Sequence, residues 1–474
     1  MTSVMLSCSD DDSFSISSSN TLTFSTDTIT MDTVFSKVPT PTYSFWVYNK
    51  SGDGIRCTSI RLANGNQTGF RANVDGEYLS QSSGYQVTNV DIRNKDSIRV
   101  FVELTSAETG SVDPQKIEDN LVFTLESGVQ QSVNLNAYSW DATLLTNLEV
   151  KSDTTIDSSS KPLVIYGGIT VDSAATLRIA AGSTIYFHSD AGIDVYGKLI
   201  TEGSANNNVV LRGDRTDNMF DYLPYDRVSG QWNGIRFYQS SYGNSINYTD
   251  IHSTYDGVVC DSSDVSIEKL ELINSTIHNC QGYGLKSTNC LVNVVNSQIS
   301  NTLDDCVYVL GGSVLLLHCT LAQFYPFDAD RGAALRFTNL NNEISYPLLQ
   351  MLCINSIVTG YADDVLMGEG LSEDADFNYL FMNSLLRSVE PEEEDANLIN
   401  IIWEDVADTD STGEKNFKLV DIDNMIYNFR LDSISKAIGA ANAEYSTSTD
   451  RDGNQRDELP DIGCYEYIKE ETSN

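Results

Sequence analysis

Asn274-Ser275-Thr276-Ile277, Asn296-Ser297-Gln298-Ile299 and His318-Cys319-Thr320-Leu321 are three versions of one four-residue phrase. Ile277 and Ile299 stand 22 residues apart, and so do Ile299 and Leu321. Tyr248-Thr249-Asp250-Ile251 falls 26 residues before the first, and Asn355-Ser356-Ile357-Val358 falls 37 after the last. The phrases are rich in strand-forming residues and show no helical period. A repeat near 22 residues with an Asn-containing turn predicts a parallel β-helix, in which each coil holds about three short strands and three turns. Coils would then stack at about 4.8 Å, the strand spacing of a sheet. Apolar side chains line the interior in rows, and the Asn or His residues can form a ladder at one corner.

Outward from this stretch the same texture continues. Leu163–Val171, Ala175–Ile179, Gly182–Phe187, Gly192–Ile200 and Val209–Arg212 read as earlier coils, and Gln231–Phe237 reopens the stack after a polar, aromatic loop at 213–230. The longer gap after Leu321 implies a second loop around Tyr325–Gly332. Insertions in solenoids collect on one face, often the binding face. After about 365 the repeat loses clarity, and Pro391–Asp395 reads as an acidic surface loop. The solenoid is assigned to 150–430. Residues 431–474 are assigned as a cap, because an uncovered last coil leaves unpaired backbone groups and an open apolar core.

On the N-terminal side the texture is different. Thr21–Phe24, Thr42–Tyr48, Ser97–Leu104, Leu121–Leu125 and Gln131–Leu135 alternate between apolar and polar residues and are separated by Gly/Asn turns. Short strands at such spacing predict a β-sandwich over 21–145, immunoglobulin-like in architecture but without the Cys…Trp…Cys arrangement. The fold class is therefore all-β: an N-terminal sandwich, a parallel β-helix and a C-terminal cap.

Charge narrows the partners. The 474 residues carry 67 acidic against 29 basic side chains, a net charge of −38. Such a surface repels nucleic acid, and acidic glycans as well unless calcium bridges the charges. A neutral glycan or a protein partner fits better. Nine cysteines show no metal-type spacing, and six of them (Cys260, Cys280, Cys290, Cys306, Cys319 and Cys353) fall in the solenoid as small apolar fillers. One or two disulfides would be compatible with export.

Met5-Leu6-Ser7-Cys8 has the form of a lipobox, in which the cysteine is acylated after signal-peptide cleavage. Seven residues are too few for a signal peptide. Met1 is therefore read as an internal start, with 1–7 the remnant of the signal. Residues 8–20 read as a lipidated Ser/Asp-rich tether. Ser9-Asp10-Asp11-Asp12 resembles the export signal of surface-exposed lipoproteins of the Bacteroidota. Each buried CH₂ of an acyl chain contributes about 0.8 kcal/mol, so several chains would hold the body on a membrane it does not cross.

Phe429-Arg430-Leu431-Asp432-Ser433, Asp450-x-Asp452-Gly453-Asn454-x-Arg456 and Pro460-Asp461-Ile462-Gly463-Cys464-Tyr465-Glu466-Tyr467 resemble the terminal module of exported β-helix lipoproteins of that group (a choice-of-anchor-type module). The family usually has Ala where Cys464 stands. Ile185-Tyr186-Phe187-His188, Gly192–Gly197, Gly230–Ile235 and Phe45-x-Val47-Tyr48-Asn49 extend the resemblance over nearly the whole chain. It implies a right-handed β-helix on the cell-surface side of the outer membrane, acting as an accessory subunit of outer-membrane complexes.

Candidate chemistry is sparse. A lyase needs a base beside acidic calcium ligands, and a hydrolase needs two carboxylates. Asp304, Asp305, Asp328, Asp330 and Arg331 are the candidates, although adjacent Asp304 and Asp305 should diverge. The histidines His188, His252, His278 and His318 are scattered, and His318 occupies the ladder position. Asp450, Asp452, Asn454 and Asp457 resemble a short calcium loop but miss the EF-hand glycine and glutamate positions. A turn held by Asx hydrogen bonds fits them better, so no metal or other cofactor is expected, calcium being the one ion considered. Tyr222, Tyr225, Trp232, Tyr238 and Tyr242 cluster near the insertion as candidate interface residues, because aromatic faces bind sugars and anchor protein contacts.

The expectation from sequence is a non-catalytic, surface-exposed lipoprotein. It would act as a structural subunit among other outer-membrane proteins and lipoproteins, preferably in the barrel-assembly (BAM) machinery, with no nucleic-acid partner. The alternative is a glycan-binding protein or polysaccharide lyase or hydrolase serving a SusC/SusD-type uptake system.

Overall fold

Ile185, Leu211, Ile251, Ile277, Ile299, Leu321, Val358 and Leu386 occupy one line through successive parallel strands. All are buried, because strand side chains alternate and every second residue must face inward. This computed structural model describes residues 13–404 and 413–469. Cys8 and Ser9, Asp10, Asp11 and Asp12 lie outside them. The fold is all-β with large parallel sheets, and it divides into two units, Met1–Ala142 and Thr143–Asn474.

The first unit has two sheets. One orders Leu22–Phe24, Tyr43–Asn49, Ser97–Leu104, Phe70–Val74 and Glu77–Tyr78. The other is built on Thr28–Phe35, Gln130–Trp140, Gln115–Leu125 and Ile55–Leu62. Both bury alternate residues in a common core that includes Phe45, Val100, Phe70, Phe123 and Leu135. The tether expected over 8–20 is shorter than its composition suggests. Phe14 forms a bridge with Gly54, and the Arg56 guanidinium lies 4.7 Å from its ring centre.

The second unit opens at Thr143–Val150, which pairs in parallel with Leu163–Val171. The solenoid thus begins a few residues earlier than the repeat alone predicts. Three faces follow. Face A carries Ile193–Val195, Ile235–Phe237, Val258–Cys260, Leu285–Thr288, Val307–Leu310, Leu335–Thr338 and Leu366–Glu369. Face B carries Thr184–Phe187, Val209–Gly213, Thr249–His252, Thr276–Cys280, Gln298–Thr302, Thr320–Gln323, Ile357–Gly360 and Leu385–Leu386. Face C is a ten-stranded sheet from Thr154–Ile156 to Leu398–Ile399. The coils continue past residue 365, where the repeat is no longer visible in the sequence.

The corner before face B explains the quoted phrases. Asn274, Asn296, His318, Asn355 and Asn383 all have φ between 46° and 51°, a left-handed conformation that Asn tolerates better than most residues. Their side chains connect up the stack: Asn274 Nδ2 donates to Asn247 Oδ1 (3.2 Å) and Asn296 Nδ2 to Asn274 Oδ1 (3.3 Å). The following serines form a second ladder. The amides of Thr249 and Ser275 donate to Ser275 Oγ and Ser297 Oγ, and those of Cys319 and Ser356 to Ser356 Oγ and Ser384 Oγ. Each buried amide therefore finds a partner that costs little space.

The described C-terminal residues pack along face B and reach Ile402 of the last coil. Phe417, Phe429, Leu431, Ile462 and Cys464 cover Ala322, Ile357 and Leu385. Gly463 N donates to Asn355 O (2.8 Å), Cys464 N to Thr320 Oγ1 (3.1 Å), and the Tyr465 hydroxyl to Gln298 Oε1 (2.8 Å). The reason is chemical. The outer row of face B turns from polar Asp250, Thr276 and Gln298 to apolar Ile357 and Leu385, and apolar surface is buried where it is offered. The eight cysteines among the described residues are free and buried, so the exported-protein disulfides allowed by the sequence are not formed there.

His318 ties the ladder to this covering segment. Its Nδ1 lies 3.2 Å from Gly463 O and its Nε2 3.1 Å from Asn355 Nδ2. Nδ1 therefore donates and Nε2 accepts, which requires the neutral ring. Burial and the Arg456 charge push its pKa down to about 3. An unfolded His titrates near ~6.5, so between these values the unfolded chain binds one more proton and stability falls as pH falls. His318→Asn keeps a left-handed turn former and should remove that dependence. Urea unfolding of the full chain should show a pH slope between pH 6 and 4 shallower by about 1.4 kcal/mol per unit in the variant.

Candidate functional site

Stacking converts sequence period into rows of outward side chains. On face A one row reads Asp194, Arg236, Val259, Lys286, Tyr308 and Arg336. It alternates with buried residues such as Ile235, Phe237, Leu285 and Val307, so its members must point to solvent. A cavity of about 460 Å³ opens along this row, lined by Asp194, Arg236, Tyr238, Tyr255, Asp256 and Lys286 among others.

Aromatic rings and ion pairs stiffen the walls. Tyr196 and Tyr238 stack with ring centres 4.1 Å apart, and the Tyr238 hydroxyl donates to Asp194 Oδ1 (3.0 Å). Arg236 pairs with Asp261 at 3.1 Å and lies over the Tyr238 ring. Lys286 Nζ sits 4.4 Å from the Tyr283 ring centre and 5.7 Å from that of Tyr308. Tyr255 is 53% exposed at the rim.

Two carboxyl groups in this region have no cation bound directly to them. Asp256 Oδ1 accepts from the Tyr283 amide (2.9 Å). Burial holds its carboxyl above the usual range, against the opposing pull of that bond, Lys286 and Arg236. Asp304 is also raised, by burial and then by the charges of Asp305 and Asp256. Gly282, in the intervening coil, leaves room for the Asp256 carboxylate: a Cβ there would overlap Asp256 Oδ1, and its carbonyl accepts from the Asp304 amide (3.2 Å). Asp305 diverges as expected. It is buried, accepts from the Ala333 amide (2.7 Å) and pairs with Arg336 at 3.0 Å.

The other candidates disperse. Asp328 and Asp330 form an exposed Asx turn, with the Asp330 amide on Asp328 Oδ1 (2.9 Å). Arg331 donates to Tyr325 O (2.6 Å) and lies over the Tyr361 ring. Asp450 accepts from the amides of Asp452, Asn454 and Glu466 and from Asn454 Nδ2, while Asp452 pairs with Arg430 at 2.7 Å. Asp457 accepts from the Leu459 amide (2.7 Å).

Among the aromatics, Tyr222 is 54% exposed and stacks on Phe220. Tyr225 carries Arg215 on its face at 3.8 Å, and the Tyr242 hydroxyl accepts from the Asp264 amide. Trp232 is the correction: it is 1% exposed, stacks on Phe187 at 4.2 Å and donates from Nε1 to His252 O (2.8 Å). It is core and offers no interface.

Nor are all the histidines scattered. His252 and His278 occupy the same register on adjacent coils of face B and share Asp250 Oδ1. Asp226, on the 213–230 loop, reaches His252 Nε2 at 3.0 Å and Arg212 at 2.5 Å. Burial raises its pKa, but these partners outweigh burial and bring it down to about 2.

No family model and no curated protein matches the chain. Among solved structures, the catalytic unit of a thermostable GH87 α-1,3-glucanase from Streptomyces thermodiastaticus strain HF3-3 is similar at a TM-score of 0.26 and 10% identity, over 76% of this chain and 89% of that one. At that level the likeness carries no argument. The expectation of a non-catalytic barrel-assembly subunit is nevertheless corrected. It rested on a resemblance and on the absence of an acid/base set, and two carboxyls beside face A, Asp256 and Asp304, two coils apart, are both raised.

Gly282→Ala tests the cradle. The added methyl should displace the flexible Asp256 carboxylate at a stability cost under about 1 kcal/mol in urea unfolding. Hydrogen exchange at the Tyr283 amide should quicken, because its acceptor is gone.

Proposed function

We propose that the β-helix unit is a glycoside hydrolase acting on a neutral polysaccharide laid along face A. The observation that carries this reading is the cavity on face A that gathers Asp256, its carboxyl raised by burial, with the exposed Tyr255 ring and the stacked Tyr238, while Asp304, also raised, follows two coils on. Hydrolysis needs one carboxyl that gives a proton to the leaving oxygen and one carboxylate that takes a proton from water. Asp256, the more buried, is assigned as the acid. Asp304, exposed two coils on, is assigned as the base. The proton of Asp256 goes to the glycosidic oxygen as the C–O bond breaks, and water, giving its proton to Asp304, closes on the anomeric carbon. Aromatic faces suit sugar rings, and the −38 charge disfavours acidic glycans.

Location and partners belong to the same proposal. Cys8, followed by Ser9, Asp10, Asp11 and Asp12, is supported by the lipobox-like pattern as an acylated anchor on the cell-surface side of the outer membrane. The two-sheet unit is read as an immunoglobulin-like domain and the stacked coils as a right-handed solenoid. Other outer-membrane proteins of a glycan-uptake system are the expected partners, and no bound cofactor is required. In the described residues no helix is long and apolar enough to cross a membrane.

Two experiments test this. The full chain should release reducing ends from at least one of a panel of neutral glucans, mannans and xylans. Asp256→Asn and Asp304→Asn should each lower the rate by about 10²–10⁴-fold, and glycan retardation in native gels should persist. Retardation that is lost in Tyr255→Ala, with no release of reducing ends, would remove the hydrolytic step and leave a binding groove. Separately, a fatty-acid analogue should label the protein expressed behind a lipoprotein signal peptide, and Cys8→Ser should abolish the label.

A further inference from the structure

Face B carries a second group of chemistry-bearing residues, independent of the groove on face A. Asp250, His252 and His278 each offer one ligand atom, and these atoms all lie within 4.8 Å of one another. Asp250 Oδ1 is 2.9 Å from His252 Nδ1 and 3.1 Å from His278 Nε2. Zn–N and Zn–O bonds of about 2.0–2.1 Å require ligand atoms slightly farther apart than these two contacts. An ion entering between them would open each His–Asp gap by a few tenths of an ångström and draw the imidazoles together. The two rings already lie nearly parallel, 4.9 Å apart at 22°.

The surroundings supply what a metal site needs beyond its ligands. With His252 ligating through Nδ1, its Nε2–H is left to donate to Asp226 Oδ1 at 3.0 Å, and Asp226 is itself held by Arg212. A carboxylate on the far nitrogen fixes the ring orientation and raises its basicity as a ligand. His252 is buried, while His278 is partly exposed and lines a cavity of about 260 Å³ between face B and the strand Ile426–Leu431. Arg227 closes one side by donating to Asn424 O (3.2 Å). Three protein ligands, one of them lining a cavity, leave a fourth position open, the arrangement of catalytic rather than structural zinc.

We propose that Asp250, His252 and His278 bind one divalent transition-metal ion of the zinc class, with Asp226 positioning His252 and a fourth coordination position left open beside His278. Imidazole nitrogen in two of three ligands favours zinc or a neighbouring first-row ion over calcium or magnesium.

The test uses the full chain, stripped with a chelator and titrated calorimetrically with zinc chloride. One equivalent should bind, and calcium chloride should give no comparable heat. His278→Ala, whose partly exposed side chain can be removed with the fold intact by circular dichroism, should weaken zinc binding by at least about 100-fold. Asp226→Asn should weaken it by about 10–100-fold. Cobalt(II) in place of zinc should give the visible absorption of a four-coordinate ion. The proposal is overturned if the folded wild type takes up no stoichiometric zinc, or if His278→Ala and Asp250→Asn bind it as the wild type does.

Discussion

One left-handed residue per coil holds this solenoid in register. At Asn274, Asn296, His318, Asn355 and Asn383 the chain turns with positive φ, and the next residue, usually Ser, receives an amide from the coil below. A corner repeated with the same geometry starts the face B strands from Thr276–Cys280 to Leu385–Leu386 at the same height. A slip of one residue would turn every buried Ile or Leu outward. Outer rows are therefore as well aligned as inner ones, and side chains one period apart in sequence become neighbours in space.

That alignment decides what could be read beforehand. The quoted phrases contain the corner, so the solenoid, its coil spacing and the ladder were legible in them. Asn383-Ser384 is the same corner, but an insertion after Ile357 and the following acidic loop hide its spacing. The covering role of Gly463, Cys464 and Tyr465 was hidden too, because their partners Asn355, Thr320 and Gln298 lie more than a hundred residues away in sequence. Trp232 sits in a polar stretch, and only the stack shows that it faces Phe187.

The chemistry was less legible than the fold. Asp304 stood out as half of a doublet, while Asp256 sat in Tyr255-Asp256-Gly257, a composition typical of any turn. His252 and His278 looked scattered, yet their spacing equals that from Ile251 to Ile277. Extending the repeat from apolar to polar positions would have paired them. The intervening Gly282 is informative only when the coils are stacked, since its missing Cβ is what leaves room for the Asp256 carboxylate. The cluster on face B combines residues of two coils with Asp226 from the 213–230 loop, whose placement no repeat encodes.

Both groups of residues depend on a rigid scaffold, because strands packed on a filled core hold side chains more closely than loops do. Burial then shifts the groove carboxyls in the direction that acid catalysis needs. The most direct measurement is a crystal structure of the Asp256→Asn protein with a neutral oligosaccharide. The account predicts sugar rings against Tyr255 and Tyr238, with a glycosidic oxygen within hydrogen-bond distance of residue 256. An oligosaccharide bound away from face A, with the groove occupied only by solvent, would contradict it.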